Sequence, residues 1–160
     1  MKRTVFVTQA SAIAALYVLL TLCSAGLASG VIQLRLSEAL CVLPYFTPAA
    51  VPGLACGCVL ANLLTGCAPW DVVFGSLATL LGAVTSYLLR RFRLLAALPN
   101  IAANTLIVPF VLRYVYGAQK ALPFLFLTVG LGELLSAGVL GTALLLFLGH
   151  YGKRLFPDKK

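Results

Sequence analysis

The sequence has few charged residues. Only 10% of its 160 residues are Asp, Glu, Lys or Arg, whereas 61% are hydrophobic, and the mean hydropathy is +1.03. A soluble domain carries roughly 25% charged residues. A composition with less than half of that proportion excludes an ordinary soluble globular domain.

The hydrophobic stretches lack the polar and apolar alternation of a lipid-facing barrel strand. Val5–Leu22 and Leu122–Leu148 meet the rule of about 20 apolar residues for a spanning helix. Backbone groups in lipid must be hydrogen-bonded internally, so these stretches are expected to be helices. The sequence therefore predicts an all-α integral membrane protein in which residues 1–160 form a single membrane-embedded domain.

Acidic residues are also scarce, because the chain has 4 Asp and Glu against 12 Lys and Arg, giving a net charge of +8. Most basic residues lie at the two termini and in one short loop, at Lys2, Arg3, Arg90, Arg91, Arg93, Lys153, Arg154, Lys159 and Lys160. Cytoplasmic segments of membrane proteins carry such an excess. The pattern predicts a multi-pass protein of the cell membrane with both termini cytoplasmic, and it argues against a nucleic-acid site.

The chain lacks the residues of a catalytic or metal centre. Its one histidine, His150, is near the basic C-terminal tail and far in sequence from the five cysteines, which lie in apolar segments. No nucleophile is paired with a base, and no G-x-x-x-x-G-K-[ST] phosphate loop is present. We therefore expect no enzyme activity, no metal, no cofactor and no ATP hydrolysis by this chain itself.

Long hydrophobic segments are present around residues 5–27, 48–65, 71–90, 96–116 and 122–148. The first could pass for a signal peptide, but its apolar run is long, and we expect an uncleaved helix. If the basic segments are all cytoplasmic, the chain crosses the membrane an odd number of times between Ala28 and Leu89. The short stretch Leu36–Phe46 is the one candidate for the missing crossing, as a short transmembrane or half-penetrating helix. The sequence thus predicts six transmembrane helices with a short second helix.

Two polar residues are expected near the middle of the membrane, where an acid costs about 2.5–3.5 kcal/mol on insertion scales. Glu133 lies in the last segment among small residues that permit close helix packing, and Asn104 lies at a similar depth in the preceding one. Because such residues are retained at a cost, we predict that both bind substrate. A structural carboxylate and an interhelical hydrogen bond are the alternatives.

Further polar residues are expected in the outer half of the bundle, at Arg35, Glu38, Asn62 and Asp71. Arg35 and Glu38 are either an ion pair three residues apart or a gate-and-ligand pair, and the second is favoured. Asp71 is either a helix N-terminal acid or a ligand residue. Tyr45 and Trp70 are candidate aromatic contacts, with packing as the alternative for Tyr45.

The first segment carries small residues four apart at Ala10 and Ala14, with Ser11 and Ala15 in the parallel register. Small residues at this spacing let helices approach closely. The pattern is compatible with packing inside the bundle or with docking of a partner helix.

Several stretches together resemble the QueT family, the substrate-binding (S) components of energy-coupling-factor (ECF) transporters associated with queuosine precursors. They are LRLSEALCVLPYFTPAAVPGL, GCVLANLLTG, WDVVFGSLATLLGA, LPNIAANTLIVPFVLRYVY and GELLSAGVLG, and the resemblance covers nearly the whole chain. It implies a six-helix bundle with a short second helix. It also implies docking on a transmembrane coupling subunit through Ala10 and Ala14, which is then favoured over internal packing.

The resemblance further implies uptake powered by that coupling subunit and two ATP-binding-cassette ATPases. The implied ligand is a 7-deazaguanine, namely the 7-cyano or 7-aminomethyl compound or queuine. One carboxylate, Glu133 or Glu38, would accept from the guanine-like donor edge, and Asn104 would contact the carbonyl. An aromatic such as Tyr45 or Trp70 would lie against the ring.

Two other functions remain open from the sequence. The first is an S component for a different vitamin-like ligand. The second is a small homodimeric proton-coupled exporter, which the strong charge asymmetry disfavours.

Overall fold

The computed structural model of this protein describes residues 2–28 and 33–155, which contain helices and no strand. In order, the helices are α1 (Arg3–Cys23), α2 (Ala25–Ala28), a long 3₁₀ helix (Leu36–Tyr45), α3 (Ala50–Leu64), α4 (Pro69–Leu88), a single 3₁₀ turn (Arg93–Leu95), α5 (Leu98–Tyr114), α6 (Leu122–Glu133), a π-helical segment (Leu134–Leu140) and α7 (Gly141–Leu155). The all-α class is therefore confirmed.

Three helices of the described chain are long and apolar enough to cross a membrane. They are Arg3–Cys23, Pro69–Leu88 and the continuous Leu122–His150, which joins α6, the π-helical segment and most of α7. Leu36–Tyr45 and Ala50–Leu64 are shorter apolar helices. These spans support a membrane protein, while the count of six crossings and the cytoplasmic position of the termini stay predictions.

Prolines and glycines determine where several helices begin and end. α4, α5 and α6 each carry a proline in the first turn, where the missing backbone N–H costs nothing. Gly66 follows α3 with φ 71°, and Gly117 follows α5 with φ 65°. Such left-handed conformations favour glycine and stop a helix. The observed bounds lie within about three residues of most predicted segments.

Glycines on α3 let the backbone of α1 approach closely. A Cβ atom added at Gly53 would lie 2.8 Å from the Ala10 carbonyl oxygen, and one added at Gly57 would lie 3.1 Å from the Ala14 Cα atom. The two small-residue pairs, each four residues apart, therefore face each other. The predicted small-residue face of the first helix takes part in packing within the bundle.

The long 3₁₀ helix lies at the centre of the bundle. It contacts α1, α3, α4, α7 and the π-helical segment, and Cys41 and Val42 within it are completely buried. At about 2.0 Å per residue, its ten residues extend about 20 Å, which is less than the roughly 30 Å hydrocarbon core. The structure thus places the predicted short second helix inside a ring of longer helices.

Candidate ligand-binding site

A cavity of about 560 Å³ opens at the end of the bundle where α1 ends and α4 begins. Its walls come from the end of α1, the start of α2, the segment before the long 3₁₀ helix, the α3–α4 loop, the start of α4, α5 with the loop after it, and α6. The lining residues are Thr21, Ser24, Ala25, Gln33, Arg35, Thr65, Cys67, Asp71, Asn104, Val108, Leu112, Tyr116, Val129 and Glu133. Its volume lies within the range of about 300–1,000 Å³ that small-molecule sites occupy.

Glu133 is the acid that lines the deeper wall of this cavity. It is the last residue of α6, immediately before the π-helical segment, and its side chain is only 8% exposed. Gly132 beside it lies directly against the backbone of Gln33, so α6 approaches the entry to the long 3₁₀ helix closely. The Glu133 carboxylate accepts a long hydrogen bond from Asn100 Nδ2 at 3.5 Å, and the Asn104 amide is a second donor beside it. A carboxylate has about four acceptor positions, so part of its capacity remains for a ligand.

Asn104 lies on α5 and also lines the cavity. One of its Nδ2 hydrogens points at Glu38 Oε2, 3.4 Å away. The structure thus brings Asn104 and Glu133 together on the cavity wall. An amide and a carboxylate side by side can bind a ligand that presents both acceptors and donors.

Glu38 lies behind the cavity wall rather than on it, and its side chain is 1% exposed. Its Oε1 atom accepts from the Tyr17 hydroxyl. Its Oε2 atom accepts from Asn100 Nδ2 at 2.8 Å and from the Cys41 thiol at 3.1 Å, in addition to Asn104. With four donors around it, this carboxylate has little capacity left for a ligand.

Arg35 does not turn towards Glu38. Its Nη2 atom donates to Asn62 Oδ1 at 3.2 Å, and its side chain lines the cavity. Asn62 lies on α3, is 1% exposed and is therefore buried behind Arg35. The pair predicted from sequence spacing is thus separated, with Arg35 on the wall and Glu38 in the core.

Asp71 lines the cavity near its mouth, in the first turn of α4. Its Oδ2 atom accepts a hydrogen bond of 2.8 Å from the hydroxyl of Tyr116, which lies in the loop after α5. The same hydroxyl accepts from the backbone N–H of Ala68 at 3.1 Å. Partial burial and the neighbouring Asp71 raise the pKa of Tyr116 above its ordinary value, so the phenol stays protonated and remains a donor at neutral pH.

The structure places the two predicted aromatic contacts away from the cavity. Tyr45 ends the long 3₁₀ helix, whereas the cavity adjoins its opposite end at Arg35. Trp70 is 61% exposed and stacks on Phe74 along the outer surface of α4. Among the described residues, Tyr116 is the aromatic side chain that lines the cavity.

Ala10 and Ala14 are half-buried in a shallow groove between α1 and α3. Ser11 and Ala15 in the parallel register are exposed along the same groove, and so is Cys56 on α3. The groove therefore combines small residues that pack inside the bundle with small residues left open at its rim.

Sequence reasoning missed three residues of this region, Tyr17, Asn100 and Tyr116. Tyr17 contributes a single hydroxyl to an apolar stretch, and Asn100 follows a proline that begins a helix. The sequence spacing therefore does not indicate a site role for either residue. Tyr116 lies at the end of an apolar segment, where aromatic residues are common at membrane interfaces, so its position alone does not indicate a ligand contact. Within residues 2–28 and 33–155 no cluster of His, Cys, Asp or Glu could hold a metal ion.

Comparison with known proteins gives one family. A family model described as QueT transporter matches residues 7–150. No curated protein and no solved structure matches the chain.

Proposed function

The chain belongs to the QueT transporter family, and on that basis we propose that it is the substrate-binding component of an energy-coupling-factor importer that captures a queuosine precursor. The proposed ligand is a 7-deazaguanine with a cyano, aminomethyl or larger substituent at position 7. The observation that carries the proposal is the cavity of about 560 Å³ with Glu133 and Asn104 together on its wall.

The donor edge of a 7-deazaguanine matches Glu133 better than Glu38. The N1–H and the exocyclic amine of the ligand are adjacent donors, which one carboxylate accepts in a bidentate manner. Glu133 lines the cavity and accepts a long hydrogen bond of 3.5 Å from Asn100, whereas Glu38 is not among the lining residues and is surrounded by four donors. We therefore assign the donor edge to Glu133 and the ligand carbonyl to the Asn104 amide.

We assign the substituent at position 7 of the ligand to the mouth of the cavity. Asp71 lines the cavity there and has one carboxylate oxygen bonded to Tyr116. An aminomethyl group carries a positive charge that Asp71 would pair in a charge-assisted hydrogen bond. Arg35, which also lines the cavity, would supply a donor for a neutral cyano or hydroxyl group.

Import requires partners, because the sequence contains no phosphate-binding loop. We propose that a transmembrane coupling subunit docks at the groove between α1 and α3, and that two ATP-binding-cassette ATPases supply the energy. The half-buried Ala10 and Ala14 form part of this groove, and the exposed Ser11 and Ala15 lie at its rim. Small residues would let a helix of the coupling subunit approach closely.

Replacement of Glu133 by Gln tests the ligand assignment. An amide keeps the size of the side chain but turns one acceptor into a donor, which then faces the donor edge of the ligand. Hydrogen bonds to charged groups contribute about 1.5–3 kcal/mol, so Glu133→Gln is expected to weaken binding about 10- to 150-fold. Isothermal titration calorimetry of the purified full-length chain with 7-cyano- and 7-aminomethyl-7-deazaguanine measures this.

The control for this titration is 7-deazahypoxanthine, which lacks the exocyclic amine. It is expected to bind the unsubstituted chain weakly. Its affinity is expected to fall by a smaller factor than that of the guanine-like ligands when Glu133 is replaced. Equal affinity of Glu133→Gln and the unsubstituted chain for both deazaguanines would rule out the assignment of the donor edge to Glu133.

A further inference from the structure

Tyr116 lies at the mouth of the cavity, and two hydrogen bonds fix its hydroxyl group. The hydroxyl donates to Asp71 Oδ2 at 2.8 Å and accepts from the Ala68 N–H at 3.1 Å. Both partners belong to the α3–α4 loop and the start of α4, while the Tyr116 backbone belongs to the loop after α5. The rigid ring therefore bridges two loops across this side of the cavity.

The backbone of Tyr116 is fixed as well. The Arg113 guanidinium donates to the Ala118 carbonyl at 2.7 Å, and the Ala118 N–H donates to the Leu112 carbonyl at 3.0 Å. Gly117 adopts φ 65° and turns the chain at the end of α5. With both ends fixed, the ring is held in one place without a bound ligand, so little side-chain entropy remains to be lost on binding.

We infer that the ring of Tyr116 is the aromatic surface against which the flat heteroaromatic ligand packs, with its hydroxyl fixed to Asp71 and Ala68. This inference rests on the proposed function. Two observations carry it. Tyr116 is the aromatic side chain among the described residues that lines the cavity, and the carboxylate holding its hydroxyl lines the same cavity. The two aromatics expected from the sequence, Tyr45 and Trp70, lie elsewhere.

The test separates the ring from the hydroxyl. Tyr116→Leu removes the aromatic face, and Tyr116→Phe keeps the face but removes both hydrogen bonds. Stacking of one base on an aromatic side chain corresponds to roughly 5- to 150-fold in affinity. Calorimetry with 7-cyano-7-deazaguanine is expected to show a loss in that range for Tyr116→Leu and a change of less than about fivefold for Tyr116→Phe.

Tyr114→Leu is the matched control. Tyr114 lies two residues earlier, is 75% exposed and stacks on Phe110. It is not among the residues that line the cavity, so its replacement is expected to leave binding unchanged. A loss for Tyr114→Leu as large as that for Tyr116→Leu would overturn the inference, because any aromatic at this end of α5 would then have the same effect.

Tyrosine ring signals in NMR spectra of the unsubstituted chain give a second measurement that does not depend on the fold of Tyr116→Leu. The signals of Tyr116, identified by their absence in Tyr116→Phe, are expected to shift when 7-cyano-7-deazaguanine is added. Unshifted signals, or full binding by Tyr116→Leu, would overturn the ring contact alone. Failure of the unsubstituted chain to bind either deazaguanine would overturn the proposed function, and the ring contact with it.

Discussion

Two glutamates with the same chemistry have different surroundings in this protein. Glu38 accepts hydrogen bonds from four side chains and is 1% exposed, whereas Glu133 has fewer donors around it and lines the cavity. A buried carboxylate is tolerated when hydrogen bonds replace its hydration. Glu38 meets this condition within the protein, and Glu133 would meet it more fully with a ligand bound.

Replacement of Glu38 by Gln is therefore expected to lower stability. The amide group would turn a donor towards Asn100, Asn104 or Cys41, which already donate to this position. The loss of one charged hydrogen bond corresponds to about 1.5–3 kcal/mol in the free energy of unfolding. Thermal unfolding of the purified protein without ligand measures the difference.

Glu133→Gln is the control for that experiment, because the hydrogen bonds to Glu133 in the free protein are fewer than those to Glu38, and the one from Asn100 is long at 3.5 Å. Its melting temperature is expected to stay close to that of the unsubstituted chain. A lower melting temperature for Glu133→Gln with an unchanged one for Glu38→Gln would contradict this assignment. Glu133 would then be the structural carboxylate and Glu38 the one available to a ligand.

The sequence predicted which residues of the site are unusual, but not how they divide between core and cavity. Asn104 and Glu133 stand out because polar groups in apolar segments are costly. Three of the four donors to Glu38 come from α1 and α5, and no local pattern links Tyr17 or Asn100 to position 38. Such long-range pairing depends on the tertiary fold.

At the scale of helices, the predictions succeeded where proline, glycine and long apolar runs mark the boundaries. α3 to α5 begin and end within three residues of the predicted bounds. The 3₁₀ geometry of Leu36–Tyr45 and the π-helical segment Leu134–Leu140 were not predicted. Both depend on how a segment packs against its neighbours, which residue spacing does not describe.

The groove between α1 and α3 leads to a prediction about the coupling subunit. Ala15 is exposed on the groove, so Ala15→Leu would place a larger side chain where a partner helix is proposed to approach. Co-purification of the tagged chain with a coupling subunit and ATPases is expected to fall several-fold, while ligand binding stays unchanged.

Ala12→Leu is the matched control for this substitution. Ala12 is also exposed on α1 but does not line the groove. It is expected to leave co-purification intact. Equal co-purification of the two variants would exclude this face of α1 as the docking surface.

At the scale of the whole molecule, the charge distribution predicts that the cavity opens to the outside of the cell. Cys67 lies in the α3–α4 loop, is partly exposed and lines the cavity. A membrane-impermeant maleimide added to intact cells is therefore expected to label Cys67. A bound deazaguanine is expected to slow this labelling several-fold, because the ligand covers the cavity wall.

Cys67→Ser identifies the labelled site, since the ligand-sensitive signal should vanish in that variant. Cys23, exposed at the end of α1, should be labelled at a rate that the ligand does not change. Labelling of Cys67 in inverted vesicles but not in intact cells would contradict the predicted orientation.

The hydrogen bonds of Glu38 also have a consequence for biosynthesis. The amide of Asn100 that donates to Glu38 lies 62 residues later in the chain. At about 5–20 residues per second, the ribosome needs roughly 3 to 12 seconds to make that stretch. During this interval the carboxylate at position 38 lacks two of its four donors. The nascent long 3₁₀ helix is therefore expected to stay next to the insertion machinery, or in water, until α5 has been synthesised.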